Sequence, residues 1–99
     1  MKIVILPQAE HDLEIGADFY ESQRERLGKY FTDCLLTDID SLLIYAGVHE
    51  RVQGLYRCNS KRFPFAIYYD IRENEIEIYA VLDCRQDPDK ISAKLKGLK

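Results

Sequence analysis

The sequence predicts an α+β protein: an antiparallel sheet, formed by a first strand and a three-strand meander, with an N-terminal helical hairpin packed on one face and a short C-terminal helix. Residues 65–72 and 75–82 form two alternating runs joined by a short polar turn, the pattern of a β-hairpin. Upstream, two consecutive segments repeat apolar residues at helical spacing with almost no loop between them. Asp87-Pro88-Asp89, after the last strand, is a typical helix start.

The first strand and first helix lie at the N-terminus. Ile3-Val4-Ile5-Leu6 is rich in β-branched residues, which predicts a short buried strand. Pro7 ends this strand and suits the first position of a helix that we expect to end near Gln23. An acidic first turn is favourable there, because the exposed amides of a helix N-terminus attract negative charge.

The second helix is expected from Leu27 to Ala46, where apolar residues keep the helical period, and Gly47 is a natural stop. Cys34 lies in the apolar pattern and is expected to be a small buried hydrophobic residue. Asp38 lies beside the apolar stripe. Because unpaired charges stay in water, we expect Asp38 at a solvated edge.

The second half of the chain predicts the meander. Residues 48–54 are expected to be a loop leading into a strand around residues 55–58, followed by a polar turn at residues 59–62. At the hairpin turn, Asn74 is expected to adopt the positive φ. Tyrosines are expected to pack on the sheet with their hydroxyls at the surface.

Alternation predicts which side chains share a face in each strand of the hairpin. In the first strand, one face carries Phe65, Ile67, Tyr69 and Ile71, and the other carries Ala66, Tyr68, Asp70 and Arg72. In the second strand, one face carries Ile76, Ile78, Ala80 and Leu82, and the other carries Glu75, Glu77, Tyr79 and Val81.

Size and composition indicate one domain over residues 1–99. No apolar run is long enough to span a membrane, and the N-terminus does not resemble a signal peptide, so we expect a cytoplasmic protein. The three cysteines form no Cys-x-x-Cys pair and the two histidines are far apart, which argues against a metal site or structural disulfide. No cofactor is expected.

Charge is unevenly divided along the chain. Residues 1–49 carry 4 Lys and Arg against 9 Asp and Glu, and residues 50–99 carry 10 against 8. The second half is therefore where an anionic partner could bind, although its slight positive charge does not favour direct nucleic-acid binding.

Four basic side chains are the candidates for contact with an anion: Arg57, Lys61, Arg62 and Arg85. In a three-strand meander they can gather on one side of the sheet and hold a phosphate, since arginine makes bidentate contacts. The alternative is that they are solvent-facing charges paired with acidic residues across the sheet. This alternative is stronger for Lys61 and Arg62, which lie on a turn.

Three segments also resemble the RelE/ParE superfamily of bacterial toxins: Tyr56-Arg57, Arg62-Phe63-Pro64-Phe65-Ala66-Ile67-Tyr68-Tyr69 and Ala80-Val81-Leu82-Asp83-Cys84-Arg85-Gln86-Asp87-Pro88. The similarity extends to Ala9, Asp12-Leu13 and Phe19-Tyr20 in the first helix. It implies the same α+β fold and a toxin of a type II toxin–antitoxin module.

The RelE branch of this superfamily consists of ribosome-dependent mRNA endoribonucleases. By resemblance, Arg57 and Arg85 would be catalytic residues in that case. The arginine expected early in the third strand is replaced by Ala66, and no tyrosine occurs from Asp87 to Lys99. The nuclease set is therefore incomplete.

The ParE branch shares the fold, lacks the nuclease residues and poisons DNA gyrase, which suits this sequence better. The resemblance also implies a cognate antitoxin as partner, expected to bind exposed apolar surface at Ile15 and Phe19 or a sheet edge. Lys61 and Arg62 would then contact an anion or the target. Two alternatives stay open: the ribosome-dependent nuclease, and an inactive homologue that only binds its antitoxin.

Overall fold

The computed structural model describes residues 1–98; Lys99, part of the predicted domain of residues 1–99, lies outside them. The elements are β1 (Lys2–Ile5), α1 (Pro7–Gln23), α2 (Leu27–Asp40), α3 (Leu42–Tyr45), β2 (Arg51–Val52), β3 (Leu55–Asn59), β4 (Phe65–Arg72), β5 (Glu75–Asp83) and α4 (Pro88–Lys96).

The sheet has five strands in the order β1-β5-β4-β3-β2. Strands β2 to β5 are an antiparallel meander, but β1 runs parallel to β5. The expectation of an antiparallel sheet is therefore wrong for its first strand. Parallel neighbours need a long crossover, and the helical hairpin supplies it by carrying the chain from one edge of the sheet to the other.

Several element ends confirm the sequence-based expectations. Pro7 occupies the first turn of α1, and the side chain of Asp87 caps α4 by accepting a hydrogen bond from the Asp89 amide. Gly47, after α3, has a φ of 95°, in the left-handed region that favours glycine.

Three local expectations are wrong. The second helix is divided at Ser41, whose hydroxyl donates to the carbonyl of Asp38 at 2.6 Å, a bond that commonly bends helices. The loop after it contains β2. In the hairpin turn, Glu73 rather than Asn74 has the positive φ, because this two-residue turn has its left-handed residue first.

A β-bulge at Tyr79 changes the faces of β5. Tyr68 pairs with Ala80 but Tyr69 pairs with Ile78, so Tyr79 is the extra residue. Beyond the bulge, Val81 joins the core under the helical hairpin, and Ala80 and Leu82 join the opposite core: the predicted faces are reversed there. The faces predicted for Phe65, Ala66, Ile67, Tyr68 and Tyr69 in β4 are confirmed.

Both faces of the sheet are covered. The hairpin contributes Ala9, Leu13, Phe31, Leu35 and Ile39 to one core. The other core lies under α4, whose Leu95 is fully buried, a burial that stabilises the docked helix by about 2 kcal/mol.

The helical hairpin packs closely at Gly16. A Cβ atom at this position would lie 2.5 Å from Cζ of Phe31, a distance that no side chain tolerates. Gly16 therefore sets the spacing between α1 and α2.

The side chains of Asp38, Tyr68 and Tyr69 are buried where an exposed polar group was expected. Asp38 is only 6% exposed, and its carboxylate accepts hydrogen bonds from the Ser60 hydroxyl at 2.6 Å and the Lys61 amide at 3.3 Å. These bonds attach the polar turn at residues 59–62 to α2, and they explain how a charge can be buried. The hydroxyl of Tyr69 is also internal, bonded to Gly47 and His49.

Cys34 is half-buried, less than expected, and all three cysteines are free. Within residues 1–98 no helix is long and apolar enough to cross a membrane. The same residues contain no group of three or more His, Cys, Asp or Glu side chains suited to holding a metal ion.

Candidate functional site

An apolar groove of about 240 Å³ lies between α1, the end of β5 and α4. Its walls are Asp12, Ile15, Gly16, Phe19, Phe65, Val81, Leu82, Asp83, Gln86 and Lys94. The groove contains both residues expected to bind the antitoxin.

Ile15 and Phe19 form the outer wall on α1 and are 54% and 49% exposed. The Phe19 ring packs edge-on against Tyr20 at 5.1 Å, and Tyr20 stacks on Phe31 at 5.2 Å. An aromatic cluster therefore supports this wall, which presents apolar surface that is fixed before any partner binds.

The floor of the groove is the end of β5, where the strand extends beyond β1. Pairing with β1 ends at Ile78, apart from one bond that the Leu6 amide donates to the Ile78 carbonyl. Farther along, the Val81 amide donates to Oδ2 of Asp12 at 3.0 Å. A side chain of α1 thus occupies part of the sheet edge that no strand of residues 1–98 covers.

The groove is lined by two carboxylates, Asp12 and Asp83, and by one ammonium group, that of Lys94. Burial raises the pKa of Asp12, while the Val81 hydrogen bond and the positive charge of Lys94 act in the opposite direction. An apolar partner with a few polar groups suits this arrangement better than a highly charged one.

Arg85 lies outside the groove and is engaged in an ion pair. Its guanidinium donates to both carboxylate oxygens of Asp83, at 3.0 and 2.8 Å, and approaches the Tyr20 hydroxyl at 3.5 Å. The arginine hydrogen bonds hold the pKa of Asp83 below its usual value. This charge is therefore already compensated.

Arg57 lies on the opposite face, beside a cavity of about 250 Å³ under α4 that Tyr68, Cys84 and Ser92 also line. Its guanidinium is 3.9 Å from the Glu50 carboxylate, a long ion pair. Burial raises the pKa of the Tyr68 phenol, and Arg57 acts against this shift.

Lys61 and Arg62 border a third cavity, of about 430 Å³, beside α2 with Asp33 and Asp38. The structure thus does not bring the four predicted basic residues together. Arg57 faces α4, Arg85 contacts α1 through Tyr20, and the other two lie against α2.

Sequence reasoning missed an exposed apolar surface around α3, here called the α3 patch. It consists of Leu36, Leu43, Ile44, Tyr45 and Val48. The available signal is the run from Leu42 to Ala46, which is apolar all round the helix, more than one buried stripe requires.

One comparison with known proteins identifies a family, and a second supports the fold. Residues 3–88 match the family model described as ParE toxin of type II toxin–antitoxin system, parDE. A solved structure titled chromosomal ParDE TA system from P. aeruginosa superposes with a TM-score of 0.74 and 19% identity, covering 82% of this chain and 92% of that chain. At this identity the likeness establishes the fold alone. No curated protein matches significantly.

Proposed function

This chain belongs to the ParE toxin family of type II toxin–antitoxin systems, and we propose on that premise that it inhibits DNA gyrase and is neutralised by a cognate antitoxin. The family match over residues 3–88 is the observation that carries this proposal. Membership of a toxin–antitoxin system implies the antitoxin; the gyrase target is our inference.

The positions of the basic residues support a toxin that acts by protein binding. A ribonuclease must activate a 2′-hydroxyl, stabilise a negatively charged transition state and protonate the leaving oxygen at one place. Here Arg57 and Arg85 have different partners, and Arg85 is already paired with Asp83. This separation disfavours the nuclease alternative.

We place the antitoxin in the groove beside α1. Ile15 and Phe19 offer apolar anchors, and the uncovered end of β5 offers backbone groups to an extended segment. Lys61 and Arg62, exposed on the turn beside α2, are proposed to contact an anionic group of the target.

The test uses purified gyrase. The wild-type chain should inhibit supercoiling of relaxed plasmid, and an equimolar amount of cognate antitoxin should restore it. The Phe19→Asp variant should inhibit as wild type but resist the antitoxin, because a carboxylate replaces an apolar anchor. Supercoiling that is unaffected by excess wild-type chain would refute the gyrase proposal.

A cellular measurement separates the alternatives. On induction, an early loss of thymidine incorporation with continued amino-acid incorporation supports gyrase inhibition. An early collapse of protein synthesis that the Arg57→Ala or Arg85→Ala variant abolishes, with the fold intact, would replace our proposal with the nuclease. Normal growth would indicate an inactive homologue.

A further inference from the structure

The α3 patch is the largest concentration of exposed apolar side chains in the described part of the chain. Nine large hydrophobic residues are exposed within residues 1–98, and five of them belong to this patch. Ile44 and Val48 are 79% and 74% exposed, more than any of the others. Soluble monomers rarely expose such groups together unless a partner covers them.

The segment that carries the patch is held firmly. The Gly47 amide donates to the Tyr69 hydroxyl at 3.0 Å, and Nδ1 of His49 is bonded to the same hydroxyl. The position of a Cβ on Gly47 is 3.4 Å from Cδ1 of Ile71. The patch is thus fixed on the sheet by a buried anchor, and a partner need not order it on binding.

The patch and the antitoxin groove lie at opposite ends of the sheet. The groove is bordered by Phe65, where β4 begins, whereas the patch is anchored at Tyr69 and Ile71, where β4 ends. At ~3.3 Å per residue, Phe65 and Ile71 are about 20 Å apart. The two surfaces are separate sites.

Two exposed acidic side chains adjoin the patch. Asp40 is exposed on the helix surface between Leu36 and Leu43, and Glu50 follows Val48 with only a long ion pair of 3.9 Å. The nearby Arg51 keeps its positive charge, but its guanidinium is held at the β2–β3 turn, where it donates to the Gly54 carbonyl and lies over the Tyr56 ring.

This acidic rim decides between occupants. In a two-fold contact between copies of this chain, Asp40 and Glu50 would face carboxylates of the same surface, which is unfavourable. A different protein with an apolar depression rimmed by lysine or arginine complements both the apolar centre and the negative rim.

We propose that the α3 patch is the surface through which this chain binds its target protein, by insertion of Ile44 and Val48 into a basic-rimmed apolar depression. This inference rests on the proposed function and adds to it the binding surface and the chemistry of the partner.

The experiment compares three proteins in the supercoiling assay: wild type, the double variant Ile44→Ser/Val48→Ser, and the control variant Gln23→Ser at the exposed end of α1. The double variant should lose inhibitory potency by about tenfold or more, as central anchors of an interface do. Its thermal melting and its affinity for the cognate antitoxin should match those of wild type. Gln23→Ser should match wild type in all three measurements.

Asp40→Lys tests the charge argument separately. It should lower the potency and weaken the salt dependence of inhibition, because a basic partner is then repelled. Equal potency of Asp40→Lys and wild type would refute the basic partner.

Each remaining outcome is informative. If wild type inhibits gyrase and the double variant inhibits equally well, the patch is not the target surface and the proposed function stands. If wild type does not inhibit at all, the inference and the proposed function both fall. A wild-type dimer in light scattering that the double variant dissociates would assign the patch to self-association, and loss of antitoxin binding would assign it to the antitoxin.

Discussion

Replacing Tyr69 with phenylalanine tests the anchor beneath the α3 patch. The substitution removes one buried oxygen and leaves the ring in place, stacked against Tyr56 at 5.1 Å and edge-on to His49 at 5.6 Å. The lost oxygen accepts a hydrogen bond from the Gly47 amide at 3.0 Å. The same oxygen is also hydrogen-bonded to Nδ1 of His49.

The cost follows from these two bonds. An average hydrogen bond contributes about 1 kcal/mol net, and a buried amide left without an acceptor costs about 1–3 kcal/mol. Tyr69→Phe should therefore lower the free energy of unfolding by about 2–3 kcal/mol. For a domain of this size the melting temperature should fall by about 10–20 °C, at ~4–8 °C per kcal/mol.

Thermal and urea unfolding, followed by circular dichroism, measure this change. Tyr56→Phe is the matched control: it removes a phenolic oxygen from the neighbouring ring and should cost less than about 0.5 kcal/mol. At 25 °C, where Tyr69→Phe is still folded, gyrase inhibition should also weaken, because Gly47 and the adjoining patch lose their anchor. Equal melting temperatures for the two variants would refute the proposed anchor.

Three further changes test other contacts. Asp38→Ala should destabilise the fold by about 2–3 kcal/mol, and a double-mutant cycle with Ser60→Ala in urea unfolding should give a coupling of about 1 kcal/mol; additive costs would mean that the bond is not made. Gly16→Ala should lower stability by about 1–3 kcal/mol despite the higher helix propensity of alanine, because its Cβ meets the Phe31 ring; a rise in melting temperature would contradict the close packing. Burial raises the pKa of Asp12 above 3.8, so the ionised form is disfavoured in the folded state. Stability is therefore lost as pH rises through the raised pKa, and urea unfolding from pH 3 to 7 should show Asp12→Asn gaining stability over wild type as pH rises; a constant difference would refute this.

Most of the elements, though not β2 or the separate helix α3, could be predicted from the sequence because local signals determine their ends. Pro7, Asp87 and Gly47 act through their own backbone preferences, which do not depend on the rest of the fold. The direction of β1 has no such signal, since alternation is the same for parallel and antiparallel neighbours. Only the complete path of the chain determines it.

The bulge at Tyr79 escaped prediction for a related reason. Residues 79–82 are all apolar and both faces of the sheet are buried, so a reversal of faces leaves the hydrophobic pattern unchanged. Asp38 was misassigned because its partner, the turn containing Ser60, is 22 residues away in sequence.

The candidate sites were predictable to different degrees. Ile15 and Phe19 fall outside the inward-facing stripe of α1, and the structure leaves them exposed as expected. The α3 patch needed the structure, since a short apolar helix in sequence is equally consistent with burial. Whether the Ile44 side chain is buried or exposed depends on the bend at Ser41 and on the anchor at Tyr69, which is distant in sequence.

The separation of the two surfaces constrains how an antitoxin could neutralise this toxin. An antitoxin that only fills the groove beside Phe19 would leave open the α3 patch, whose anchor lies about 20 Å farther along β4 at ~3.3 Å per strand residue. Neutralisation therefore requires a segment that continues past the groove, about 6 residues if extended or about 13 if helical at ~1.5 Å per residue, and that blocks access to the patch by its bulk and not by contacts with Ile44 and Val48. An intrinsically disordered antitoxin tail meets this requirement well, because it can wrap a large surface and order only on binding.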